Sequence, residues 1–190
     1  NTFHYKNRLY IIALKTFFNN NEKKPSYGPL ISLERVGFNK KIIKIYKFRT
    51  MHPYSEFIQE DVYNNNKLNT KGKLKNDFRL TNWGKVLRKY WIDELPQILN
   101  LIKGDISLVG PRALSKHYFS LYPKEVQDMR TACRPGLIPP YYADMPKSFD
   151  EIIESEKLFL VQKIKNPILT SIKYFFKSIF NILIKGARSS

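Results

Sequence analysis

The neighbouring acids Asp93 and Glu94 are the residues of this chain best suited to chemistry. At a helix start each backbone step turns the next side chain by about 100°, so both carboxylates can face one pocket. An ionised carboxylate is able to attack a phosphorus centre, and a second can hold a divalent cation that neutralises the phosphates being split. Asp93 is equally suited to cap the helix and Glu94 to assist its first turn, and capping and catalysis can coexist. A diphosphate also needs cations, for which Lys47, Arg49, Arg79, Arg88, Arg112 and Arg134 are the candidates. Arg112 and Arg134 sit in Pro/Gly settings that fix the backbone, which suits a bidentate grip on an oxyanion. Taken singly, each of these cations also reads as a solvated charge. His4, His52 and His117 lack partners at metal-ligand spacing, and no Walker loop, dinucleotide-binding glycine motif or Ser/His/Asp arrangement occurs.

The elements that must position these residues are short. Residues 8–18 read as a strand closing a preceding unit, and residues 41–51 as a second strand in which Ile43, Ile45 and Phe48 alternate with basic positions. Residues 64–77, dense in Asn, Lys and Gly, read as an exposed, mobile loop. Thr81 caps a helix in which Trp83, Val86, Leu87 and Tyr90 recur at helical spacing. A further helix is expected to start at Asp93 and stop at Gly104, with Leu95, Ile98, Leu99 and Ile102 on one face. A buried strand over residues 106–109 feeds Gly110-Pro-Arg112, and residues 125–133 form a helix stopped by Arg134-Pro-Gly136. From Asn166-Pro167 to Gly186 runs a basic amphipathic helix, with Ile172, Phe175, Phe176, Ile179 and Leu183 on one face and Lys173, Lys177, Asn181 and Lys185 on another.

These elements predict one α+β domain of short strands and several helices. The expected divisions are an N-terminal strand and linker over residues 1–24, a catalytic unit over 25–165 and the amphipathic helix over 166–190. Thirty-three Lys and Arg against 16 Asp and Glu give a net charge of +17, which attracts nucleic acid, nucleotides or anionic lipid alike. The single cysteine, Cys133, excludes an internal disulfide and a cysteine-based zinc site, and reads as a small buried apolar residue. No stretch approaches the roughly 20 apolar residues of a membrane span. The apolar arc of the last helix, widened by Phe180, Ile182 and Ile184 and flanked by lysines, suits either the domain core or an anionic membrane surface.

Seven motifs in order resemble the bacterial sugar transferase family: Glu34-Arg-Val-Gly37, Tyr46-Lys-Phe-Arg-Thr-Met51, Asp77-Phe-Arg-Leu-Thr81, Gly84-Lys-Val-Leu-Arg88, Asp93-Glu-Leu-Pro-Gln97, Lys103-Gly-Asp-Ile-Ser-Leu-Val-Gly-Pro-Arg112 and Arg134-Pro-Gly136. The family's members are monotopic phosphoglycosyl transferases that start capsule, exopolysaccharide and glycan assembly. The resemblance implies that Asp93 attacks the sugar-linked phosphate of a UDP-sugar, releases UMP and holds a covalent phosphosugar, which polyprenyl (undecaprenyl) phosphate then accepts. It implies Glu94 in the same dyad with Mg2+ beside it, Lys47, Arg88 and Arg112 on the phosphates, and a place at the cytoplasmic face of the bacterial inner membrane. The chain departs from the family pattern in three places. Ala113 replaces the second proline of Pro-Arg-Pro, Leu137-Ile-Pro-Pro-Tyr-Tyr142 stands where a Thr-Gly-Trp-like stretch is usual, and the re-entrant membrane helix with its Ser-Pro break is not found. The rivals are a basic nucleic-acid-binding module and an inactive membrane-surface scaffold. No RNA or DNA motif supports the former, so no nucleic-acid partner is expected.

Overall fold

The computed structural model describes residues 2–5, 8–11, 26–56, 58 and 77–186. Strands β1 (Thr2–Tyr5) and β2 (Arg8–Ile11) pair antiparallel. The rest of the 8–18 strand and the loop expected over 64–76 lie outside the described residues.

Strands β3 (Leu30–Val36) and β4 (Ile42–Phe48) form an antiparallel hairpin, with Leu30 opposite Phe48 and Val36 opposite Ile42. Its turn places Asn39 and Lys40 at φ 52° and 60°, the left-handed region that Asn tolerates better than most residues. Ile45 is the hairpin's buried anchor, at 2 % exposure. Helix α1 (Asn82–Lys89) starts as expected, with the Thr81 hydroxyl accepting from the Gly84 N–H. The side of α1 that packs is defined by Gly84, whose backbone lies so close to the Thr50 carbonyl that any Cβ would collide with it. The apolar side turns outward, leaving Trp83 79 % exposed beside exposed Val86 and Tyr90.

The helix expected from Asp93 begins later. Trp91 takes a left-handed conformation at φ 58°, Ile92–Glu94 form a single 3-10 turn, and α2 (Gln97–Lys103) follows Pro96. Asp93 is therefore inside a tight turn and caps nothing; the proline fixes where the regular helix starts, because its ring is accommodated only before or within the first turn. Gly104 ends α2 at φ 74°. Two short parallel strands, β5 (Ser107–Val109) and β6 (Gly136–Ile138), flank α3 (Lys116–Ser120) and α4 (Lys124–Thr131). After them come α5 (Tyr141–Asp144), α6 (Phe149–Lys165) and α7 (Pro167–Leu183).

The core is made by Val109, Ala143, Phe159, Leu160 and Tyr174, with Met129, Cys133, Ile138 and Phe175 packed at its edge. Helix α7 presents the face opposite to that expected of a soluble helix. Its buried residues are Thr170, Tyr174, Ser178 and Asn181, whereas Ile168, Leu169, Ile172, Phe176, Phe180 and Leu183 are exposed. Asn181, placed on the lysine-bearing face by its spacing, is 3 % exposed and donates through Nδ2 to the Tyr142 and Ala143 carbonyls at 3.0 and 2.7 Å. Thr170 Oγ1 donates to the Gln162 carbonyl at 3.0 Å. These bonds satisfy polar groups that would otherwise be costly to bury.

Candidate active site

Asn100 sets the frame. Fully buried in α2, its amide donates to the Lys44 carbonyl at 2.7 Å and accepts from the Tyr46 N–H at 3.0 Å. This fixes α2, and the Asp93–Glu94 turn before it, against the edge of β4 that carries Lys47. Lys47 Nζ donates to Glu94 Oε1 at 2.7 Å. Arg112, reached through Gly110 and Pro111 after β5, donates to the same oxygen at 3.0 Å through one Nη and to the Tyr141 hydroxyl at 2.6 Å through the other.

Arg88, in the last turn of α1, is half-buried, with Nε donating to Thr50 Oγ1 at 3.0 Å. Thr50 is itself held, its carbonyl accepting from Thr81 N at 3.0 Å and Thr81 Oγ1 at 3.1 Å. The Arg88 charge acts on Asp93, as do those of Lys47 and Arg112. Asp93 is 7 % exposed, yet among the described residues no cation stands within ion-pair distance of its carboxylate.

The two acids are thereby driven apart. Burial raises the Asp93 carboxyl above its ordinary value, and the Glu94 charge adds to this against the pull of Lys47, Arg88 and Arg112. Burial acts in the same direction on Glu94, but Arg112 and Lys47 outweigh it and hold that carboxyl below its ordinary value. Lys47 is lowered by burial and by Arg112, with Glu94 opposing. Glu94 is thus a fixed anion binding two cations, while Asp93 is a buried carboxylate that none of the described residues engages in an ion pair. Of this pair, Asp93 is the one not engaged by Lys47 or Arg112, which suits it better to attack on an electrophile.

The structure gathers Asp93, Glu94, Lys47, Arg88 and Arg112, and puts the other three candidates elsewhere. Arg49 donates to the Gly28 carbonyl at 2.7 Å and to Ser26 Oγ at 3.0 Å, tying down the chain before β3. Arg79, 3 % exposed, grips both carboxylate oxygens of Asp77 at 2.8 and 2.6 Å and stands behind Arg88. Arg134 is exposed and lies against Gly104 at the end of α2. Two side chains outside the candidate set hold Arg112. Tyr141 is one. The other is Arg130, which is buried in an ion pair with Glu156 and donates to the Arg112 carbonyl at 2.6 Å.

A magnesium ion suits this donor set in kind. Mg2+ binds hard oxygen ligands and is commonly held by one or two carboxylates with substrate phosphates completing the shell. Asp93 and Glu94 supply two, and no group of three potential ligands occurs among the described residues.

Comparison with known proteins bears on the family of the chain. The chain is 42 % identical over 112 residues to the galactosyl transferase CpsE of Streptococcus agalactiae serotype III, covering 58 % of this chain and 25 % of that protein. It is 38 % identical over 116 residues to the undecaprenyl-phosphate galactose phosphotransferase of Salmonella typhimurium, covering 58 % and 24 %. Over 123 residues it is 37 % identical to a UDP-N-acetylgalactosamine-undecaprenyl-phosphate N-acetylgalactosaminephosphotransferase of Aeromonas hydrophila, covering 60 % and 26 %. The matched segment spans about a quarter of the length of each of these relatives. The family model for bacterial sugar transferases matches residues 9–184, so the chain belongs to the bacterial sugar transferase family.

Proposed function

We propose that this domain moves a sugar-1-phosphate from a UDP-sugar to polyprenyl phosphate and releases UMP, the step that initiates capsule, exopolysaccharide or glycan assembly. One observation carries the reading: the Asp93 carboxylate is buried without an ion pair among the described residues, beside a Glu94 that binds Lys47 and Arg112. The names of the relatives, which include undecaprenyl-phosphate phosphotransferases, support donor and acceptor classes of this kind.

In the first step an Asp93 oxygen attacks the sugar-linked phosphorus. The bond from that phosphorus to the bridging oxygen breaks, UMP leaves with the electron pair, and an acyl phosphate bearing the sugar remains on Asp93. In the second step a phosphate oxygen of the polyprenyl acceptor attacks the same phosphorus and the Asp93 carboxylate is regenerated. Arg88 and Arg112 neutralise the non-bridging oxygens as charge moves towards UMP, and Lys47 supports this field through Glu94. Glu94 and Asp93 would hold a Mg2+ ion, which would supply further neutralisation of the leaving group's charge.

An acceptor embedded in a bilayer requires the site to lie near the headgroups. The exposed row Ile168, Ile172, Phe176, Phe180 and Leu183 on α7, with exposed Lys173 beside it and a chain charge of +17, suits the anionic cytoplasmic surface of the bacterial inner membrane. No helix among the described residues is long and apolar enough to cross a membrane.

A screen of UDP-sugars for UMP release, with and without polyprenyl phosphate, tests the reading. Sustained release that needs the acceptor is expected for at least one donor. No release from any UDP-sugar with the acceptor present would overturn it.

A further inference from the structure

Arg112 is held at both ends. Its backbone carbonyl accepts from Arg130, which Glu156 locks in the core, and its guanidinium bridges Glu94 and Tyr141. The Tyr141 contact is the shorter of the two guanidinium bonds, 2.6 Å against 3.0 Å. Tyr141 lies in Leu137-Ile-Pro-Pro-Tyr-Tyr142, the segment in which this chain departs from the family pattern.

That segment is firmly seated. Pro140 is fully buried and Tyr142 packs its ring 4.6 Å from that of Tyr141 and 5.2 Å from that of Trp91, the residue two before Asp93. From the other side Asn181 binds the carbonyls of Tyr142 and Ala143. The phenol oxygen is therefore a fixed acceptor.

We propose that Tyr141 is a positioning residue for the donor's diphosphate: it fixes the orientation of the Arg112 guanidinium across Glu94, so that the fork meets the phosphate oxygens without first being ordered. This rests on the reading that Arg112 binds the donor's diphosphate. The Tyr141 bond restrains rotation of the guanidinium about its Glu94 contact, and ordering a less restrained fork on binding would cost affinity and rate. Arg130 fixes the backbone, whereas Tyr141 acts on the guanidinium itself.

A double-mutant cycle tests the assignment, with the variants Tyr141→Phe, Arg112→Lys and both together. Two quantities are read on each protein: pyrophosphate affinity by calorimetry, and kcat/KM for UMP release. The phenylalanine keeps the ring contact with Tyr142 and removes only the oxygen. The expected result is a loss of about tenfold in both quantities for Tyr141→Phe with an unchanged Tm, and no further loss when it is added to Arg112→Lys. Additive losses, or wild-type values in Tyr141→Phe, would overturn the proposal. So would a wild type that binds no pyrophosphate. A wild type that binds pyrophosphate and releases no UMP defeats the functional reading alone, and the binding cycle then decides the role of Tyr141.

Discussion

Asp93 and Glu94 share one 3-10 turn and differ in what they touch: Glu94 Oε1 receives Lys47 Nζ at 2.7 Å and Arg112 Nη at 3.0 Å, and Asp93 receives neither. The asymmetry comes from the elements around the turn. β4 and the Gly110-Pro-Arg112 loop both direct their cations at the second acid, and Asn100 holds α2 and β4 in the alignment that makes this possible. In the proposed mechanism, two acids adjacent in sequence thus have different jobs, one electrostatic and one nucleophilic.

Glu94→Gln removes the anion that both cations share. Lys47 is left in a site 17 % open to solvent with its main counter-charge gone, a situation that costs about 3 kcal/mol when a buried pair loses one partner. The variant is expected to lose at least about a hundredfold in kcat and several degrees in Tm. Wild-type kcat in a folded Glu94→Gln protein would contradict the role given to this carboxylate.

Arg112→Lys keeps the charge and loses the fork. A single ammonium cannot reproduce the two-sided bridge between Glu94 and Tyr141, so kcat/KM is expected to fall by about a hundredfold. Steady-state kinetics of UMP release check this, and full activity in the lysine variant would reduce Arg112 to a contributor of charge.

The Asp77–Arg79 pair is expected to appear in the acid limb of the stability curve. Hydrogen bonds from Arg79 hold the Asp77 carboxyl below its ordinary value, despite its burial. Its contribution is therefore complete above the unfolded carboxyl's value of about 4 and fades as pH falls through the lower folded value. Asp77→Asn should cost about 3 kcal/mol in urea unfolding at pH 6 and clearly less at pH 3. An equal cost at both pH values would show that ionisation of Asp77 is irrelevant.

Much of the site was legible because its residues lie in short motifs whose chemistry is local: acids at a turn, cations beside glycine and proline. Arg49 and Arg79 stand among the candidate phosphate cations in sequence, but in the fold Arg49 binds the Gly28 carbonyl and Ser26 Oγ, and Arg79 binds Asp77, only two residues away. Tyr141 was not legible, since a phenol becomes an arginine ligand only through packing that brings residues 112 and 141 together. Spacing alone leaves the apolar arc of α7 open between the core and a membrane surface, and its exposure depends on what the polar residues meet. Spacing assigns polar residues to the solvent, whereas Asn181 and Thr170 are turned inward by bonds to carbonyls of α5 and α6.

That orientation gives the membrane proposal a sharper test than the sequence offered. Phe176 and Phe180 are 66 % and 55 % exposed, so Phe176→Glu with Phe180→Glu should leave folding intact. The wild type is expected to sediment with anionic liposomes in a salt-sensitive way, and the double variant to remain in the supernatant with unchanged Tm. Equal sedimentation of the two proteins would place any membrane contact elsewhere.

The covalent step is the central claim, and trapping its product tests it most directly. The protein is incubated without acceptor against a panel of UDP-sugars, quenched, and mapped by peptide mass spectrometry. A sugar-phosphate adduct on Asp93 is expected, together with about one equivalent of UMP per protein and loss of both in Asp93→Asn. An adduct on any other residue, or turnover retained by Asp93→Asn, would contradict the assignment of Asp93 as the nucleophile.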